Sequence, residues 1–146
     1  YVGNEQASAE LWRGGYLHTG AVGRVDDVGR LLITDRIKDV IKSGGEWISS
    51  LTLESLVSSC DDVAEVAAIA VPDVKWGERP LLLVVPVNAA ASDRLDAARR
   101  QRLEAEIAAG RLSKWAMPER IEIVTEIPKT SVGKLDKKAM RQRYAP

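Results

Sequence analysis

The spacing of apolar residues changes along the chain, and each change marks an element. In "VGRVDDVGRLLITD", short apolar runs at 22–25 and 31–34 flank an Asp-Asp-Val-Gly stretch, which predicts a β-hairpin. Leu53, Leu56, Val57 and Cys60 recur at i, i+3, i+4 and i+7, the buried face of a helix with Ser50 as its N-cap. "EVAAIAVPD" and "PLLLVVPVN", on either side of "DVKWGER", are β-like. The second is nearly all apolar, as a central strand is, and Pro86 marks its end or an edge. Ser92 and Asp93 open a charged helix that turns Leu95, Leu103 and Ile107 inward; Gly110 reads either as its stop or as a tolerated helix glycine. Met117-Pro118 closes that region, "RIEIVTEIP" alternates as a last strand, and 136–144 forms a short basic helix. The expectation is an α+β fold. It has a small antiparallel or mixed three-stranded sheet with helices packed on one side, preceded by a β-hairpin.

Composition narrows the function classes. The 146 residues suffice for one compact domain and a short attached piece. Lysine and arginine total 21, as do aspartate and glutamate, so no global field draws the chain to nucleic acid or an anionic membrane. The basic tail "KLDKKAMRQR" lacks interleaved aromatics, which argues against an RNA grip. No apolar run approaches the ~20 residues of a transmembrane helix, and no signal-peptide pattern opens the sequence. One cysteine, Cys60, and one histidine, His18, argue against an internal disulfide and a zinc site. These features read as a cytoplasmic globular domain. An opening without methionine, weakly patterned over 1–15, reads as the middle of a larger protein.

Two glycine-bearing stretches stand out from this background. "KSGGEWISS" places Gly44 and Gly45 where the backbone can take positive φ or approach a ligand closely. "PKTSVGKLDKK" places Lys134 behind Gly133, a flexible point that lets the loop approach a site; Lys129, Lys137 and Lys138 read as solvated. For Glu46 and Trp47 a tight turn is the simpler reading. Trp76, Gly77 and Glu78 read as a strand-connecting turn packed by the indole.

Three stretches in order resemble the adenylate-forming superfamily of acyl-CoA synthetases, luciferases and peptide-synthetase adenylation domains. "GYLHTGAVGRVDDVGRLLITDR" is similar to the family's Tyr-x-Thr-Gly-Asp segment and following hairpin. "DRIKDVIKSGGEWIS" is similar to its hinge segment, and "PKTSVGKLDKKAMR" to its C-terminal Pro-x-Thr-x-x-Gly-Lys motif. "PDVKWGERP" between them is also family-like, and the whole looks most like the ligases for medium- and long-chain fatty acids.

The resemblance implies that 1–35 end a large N-terminal adenylation domain and 36–146 form the C-terminal lid, inactive alone. It implies a reaction in two halves: a carboxylate and ATP give acyl-adenylate and pyrophosphate, then CoA displaces AMP, with the lid turning in between. It makes Lys134 the catalytic cation and Asp35 the hinge. Thr19, Gly20, Arg36 and Lys42 become contacts for ATP or AMP, and Ser43, Gly44 and Gly45 line the CoA channel. ATP and CoA are the implied cofactors, with Mg²⁺ held outside this chain. The implied partners are the chain's own N-terminal domain, a fatty acid, ATP and CoA, without nucleic acid or a membrane span. An aryl-CoA ligase lid and a catalytically silent interaction domain of the same fold are the alternatives. One position departs from the pattern: the family aspartate that accepts the ribose hydroxyls is here Ala21, whose methyl accepts nothing, and Asp26 lies on the same hairpin.

Overall fold

The computed structural model describes residues 2–88 and 95–145, so the expected helix start at Ser92 and Asp93, and the side chain of Leu95, lie outside the described residues. The chain divides into two compact units, Tyr1–Lys38 and Asp39–Pro146.

In the first unit the weakly patterned opening contains a helix, α1 (Glu5–Leu11). Asn4 caps it, its side chain accepting the Ala7 N–H at 2.9 Å. A short 3₁₀ turn, Arg13–Gly15, follows. The predicted hairpin is present as β1 (Ala21–Val25) and β2 (Leu31–Arg36), antiparallel from Ala21↔Arg36 to Val25↔Leu31 with a bulge between Val22 and Gly23. Glycine is required at the bulge, since a Cβ on Gly23 would stand 2.8 Å from the Leu32 carbonyl oxygen. The connecting turn is organised by Asp26. Its Oδ1 accepts the N–H groups of Val28 and Arg30 at 3.1 and 2.9 Å, and its Oδ2 pairs with the Arg30 guanidinium at 2.7 Å. The Arg30 N–H above all, then its guanidinium, holds the Asp26 carboxyl below its ordinary pKa.

The second unit is built on β5 (Val63–Asp73) and β6 (Gly77–Pro86), antiparallel from Val63↔Pro86 to Asp73↔Gly77. Their tip is an Asx turn, with Asp73 Oδ1 accepting the Lys75 and Trp76 N–H groups at 2.9 and 2.6 Å. The chain crosses through α3 (Leu95–Ala108) to β7 (Arg120–Ile123), which runs parallel to β6. This mixed three-stranded sheet is the one expected. Its last strand is shorter than "RIEIVTEIP". The sheet is extended by a second hairpin, β3 (Ile41–Ser43) and β4 (Glu46–Ile48), joined to β6 through Ser43↔Gly77.

Helices cover both faces of the sheet, which corrects the one-sided expectation. Val66, Ala68, Leu82 and Val84 pack against Leu53 and Val57 of α2 (Ser50–Ser58) and Leu103 of α3. The alternate residues Ala67, Ile69, Val71, Leu81 and Leu83 pack against Ile127 and Met140, the latter on α4 (Lys137–Tyr144). The physical reason is that successive side chains of a strand point to opposite faces. A strand apolar at every position, as 81–84 is, has two faces to bury. The cap of α2 is Ser49, whose Oγ accepts the Thr52 N–H at 3.1 Å; Ser50 is the first helical residue and is buried.

Candidate functional site

The singled-out residues divide between the two units. In the first, Gly20 sits just before β1 at φ +69°, and its carbonyl accepts the Ile37 N–H at 2.8 Å. Thr19 Oγ1 accepts the Ala21 N–H at 3.2 Å. Ala21 is exposed and pairs across the hairpin with Arg36, whose side chain is also exposed. One residue earlier, Asp35 is buried, and its Oδ1 accepts the Arg36 N–H at 2.7 Å. The hairpin therefore brings Thr19, Gly20, Asp35 and Arg36 to one end. Asp26 is at the other end, its carboxylate committed to its own turn. His18 is fixed locally, its Nε2 donating to the Arg13 carbonyl at 2.8 Å.

In the second unit, Ser43 and Glu46 face each other across β3–β4, leaving Gly44 and Gly45 as a two-residue turn. Their φ values are +59° and +86°, and two successive positive φ angles define the type I′ turn that suits a hairpin's twist. Gly44 is also crowded: a Cβ there would lie 3.1 Å from the Trp76 ring. Trp76 packs against Trp115 with ring centroids 4.4 Å apart at 52°, so the indole of the β5–β6 turn lies against Gly44 and Trp115. The Gly44 N–H donates to the Trp76 carbonyl at 3.0 Å, and the Lys42 N–H to Glu78 Oε2 at 2.7 Å.

Sequence reasoning missed the group that organises this corner, Arg79. Its Nη1 donates to Ser43 Oγ at 3.1 Å and to the Trp115 carbonyl at 2.9 Å. Its Nη2 reaches the Met117 carbonyl at 2.9 Å, and its Nε meets Glu119 at 3.3 Å. A guanidinium has donors enough for such a junction, but nothing in "WGERP" alone distinguishes it from a surface arginine. The result is a rigid turn with Ser43 fully buried. Lys42 and Trp47 lie outside it on the exposed surface, the Lys42 ammonium 5.6 Å from the Trp47 ring centre.

Lys134 lies on a second tight turn. The Thr130 N–H donates to the Lys134 carbonyl at 2.7 Å, the Gly133 N–H to the Thr130 carbonyl at 2.9 Å, and the Lys134 N–H to Thr130 Oγ1 at 3.2 Å. Below the turn, Lys129 bridges to Leu135, and the Asp136 N–H donates to the Pro128 carbonyl at 2.9 Å. Gly133 takes φ +76° with nothing within 4 Å of a built Cβ, so the glycine here serves the turn's backbone angle. The Lys134 side chain projects to solvent and makes no ion pair among the described residues.

Of the neighbouring lysines, Lys137 alone departs from the solvated expectation, while Lys129 stays exposed. Lys138 is exposed, as expected. Lys129 meets Glu65 at 2.6 Å. Lys137 is largely buried, its Nζ 2.7 Å from both Glu54 Oε1 and Ser50 Oγ. Helical geometry turns that first residue of α4 back onto α2, which charge content alone does not reveal. Among the described residues no cluster of His, Cys, Asp and Glu is placed to hold a metal ion, and no helix is long and apolar enough to cross a membrane.

Comparison with known proteins places these features in a family. The family described as AMP-binding enzyme C-terminal domain matches residues 52–134. The chain is 40% identical, over 99% of its length, to a long-chain-fatty-acid–CoA ligase of Thermus thermophilus, and 36% identical, also over 99%, to an indoleacetate–CoA ligase of Aromatoleum aromaticum. It spans about a quarter of the length of each, 26% and 27%. Among solved structures, the amide bond synthetase McbA of Marinactinospora thermotolerans superposes on the whole chain with a TM-score of 0.84 at 31% identity. The match covers 28% of that enzyme.

Proposed function

Since this chain belongs to the AMP-binding enzyme C-terminal domain family, we propose that it is the lid of an ATP-dependent acyl-CoA ligase acting on fatty acids. Residues 1–35 are then the end of the large adenylation domain and 36–146 the lid; the compact units divide three residues beyond Asp35, after Lys38. The exposed apolar side chains of the first hairpin, among them Val25, Leu31 and Ile33, support its membership of a larger body. The fatty-acid assignment is supported by the Thermus relative. The acyl pocket belongs to the large domain, and the indoleacetate–CoA ligase relative favours an aryl acid as the second reading.

The observation that carries the reading is Lys134: a backbone-fixed turn presents an uncommitted ammonium to solvent. In the first half-reaction a substrate carboxylate oxygen bonds to the α-phosphorus of ATP and the bond to pyrophosphate breaks. Negative oxygens are driven together in that step, and the Lys134 cation between them lowers the barrier electrostatically. Arg36 and Lys42, both exposed cations, attend the nucleotide. In the second half-reaction the CoA sulfur bonds to the acyl carbon and AMP leaves with the bonding electrons. The Ser43-Gly44-Gly45 turn then faces the pantetheine arm, and its rigidity gives the channel a fixed wall. Mg²⁺, if it accompanies ATP, is held by groups of the large domain.

The test is Lys134→Ala in the full-length enzyme. Adenylate formation should fall by about 10²–10³-fold or more, while thioester formation from supplied acyl-adenylate is spared. Equal loss in both half-reactions removes the assignment.

A further inference from the structure

Lys137 is the residue least explained by a solvated basic tail. A lysine at the start of a surface helix normally keeps its ammonium in water, since burial without a partner is costly. Here the side chain is only 10% exposed and bonds to Glu54 Oε1 and Ser50 Oγ, both at 2.7 Å. The Glu54 carboxylate, 12% exposed, also accepts the Ala68 N–H at 2.9 Å, midway along β5. A chain of short polar bonds thus runs from the central sheet through α2 to the first residue of α4, three positions beyond Lys134. The opposite stem of the Lys134 turn is tied to the same strand by Lys129 and Glu65 at 2.6 Å.

Resting on the reading of Lys134 given above, we propose that Glu54 and Lys137 are positioning residues for the first half-reaction. They hold the start of α4 against the sheet, so that Lys134 travels with the lid as part of a rigid body. Deeper attachments keep α4 in place independently: Met140 is fully buried, and Arg141 pairs with Asp39 at 3.1 Å. Losing the Glu54–Lys137 bond therefore loosens the first turn of α4 and the Lys134 turn beside it without releasing the helix. A displacement of about 1 Å at a reacting centre can cost roughly 10²-fold in rate.

The experiment uses the full-length ligase and measures the half-reactions separately: ATP–pyrophosphate exchange for adenylate formation, and thioester release from supplied acyl-adenylate. Lys137→Met should lower kcat for adenylate formation by about 10–100-fold with KM for ATP and the thioester step unchanged. Lys137→Arg should restore most of the rate. Glu54→Gln, which keeps an acceptor for the Ala68 N–H and removes only the charge, should shift the same parameter in the same direction. It also serves if Lys137→Met does not fold. Equal loss of both half-reactions would reduce the pair to a structural prop and overturn the proposal. So would unchanged adenylate formation in a protein where Lys134→Ala abolishes it. If Lys134→Ala itself leaves adenylate formation intact, the reading of Lys134 fails first, and nothing remains to be positioned.

Discussion

Gly44 and Gly133 are both glycines at positive φ, yet their surroundings differ. Gly133 needs only the backbone angle, whereas Gly44 needs the angle and the absence of a side chain, because Trp76 lies 3.1 Å from where a Cβ would be. Gly133→Ala should cost about 1–2 kcal/mol. Gly44→Ala pays that strain and displaces a ring itself packed against Trp115, so its loss should be larger, about 2–4 kcal/mol. Denaturant unfolding of the two variants gives the comparison. An equal or smaller loss at Gly44 would mean that the indoles give way freely. Both glycines were legible in the sequence as backbone punctuation. Their different reasons were not, since Trp76 and Trp115 lie 32 and 71 positions away from Gly44 and meet it only in the fold.

At the scale of elements, helix ends show what local sequence can and cannot specify. Gly110, open between two readings in the sequence, is the stop of α3: at φ +70° its N–H donates to the Ile107 carbonyl at 2.9 Å and the Arg111 N–H to the Glu106 carbonyl at 3.0 Å, a Schellman ending. The side chains of those last two residues reinforce it, Arg111 Nε and Nη2 meeting the Glu106 carboxylate at 2.7 and 3.0 Å. The Arg111 hydrogen bond holds the Glu106 carboxyl below its ordinary pKa, and Glu106 raises that of Arg111. A carboxyl depressed in the folded state stabilises fully above its unfolded pKa of about 4.3, and that contribution fades as pH falls through the folded value. Glu106→Gln should therefore lower stability at pH 7 and converge with the unsubstituted protein as pH drops below about 4. Parallel stability–pH curves would refute the pairing. The β3–β4 hairpin, by contrast, escaped the pattern because strands of three residues are too short to establish a period. They are held by the turn and by Arg79.

At the scale of the whole molecule, the proposed lid rotation concentrates on the end of β2. Asp35→Pro in the full-length ligase fixes φ near −65° where a hinge needs two backbone states. Adenylate formation should persist and thioester formation should fall sharply; normal thioester turnover would put the pivot elsewhere. The sequence by itself determined the α+β class, the leading hairpin, the two core strands and the family, and it singled out Lys134 for the role proposed above. Those rest on local periodicity, turn chemistry and contiguous motifs, all of which are written in neighbouring residues. Only the tertiary structure decided that both sheet faces are covered, that Arg79 clamps the Gly44 turn, and that Lys137 is a buried partner of Glu54 rather than a solvated charge. Those are long-range pairings. A charged side chain reads the same in sequence whether water or a distant carboxylate surrounds it, and only packing brings the carboxylate within reach.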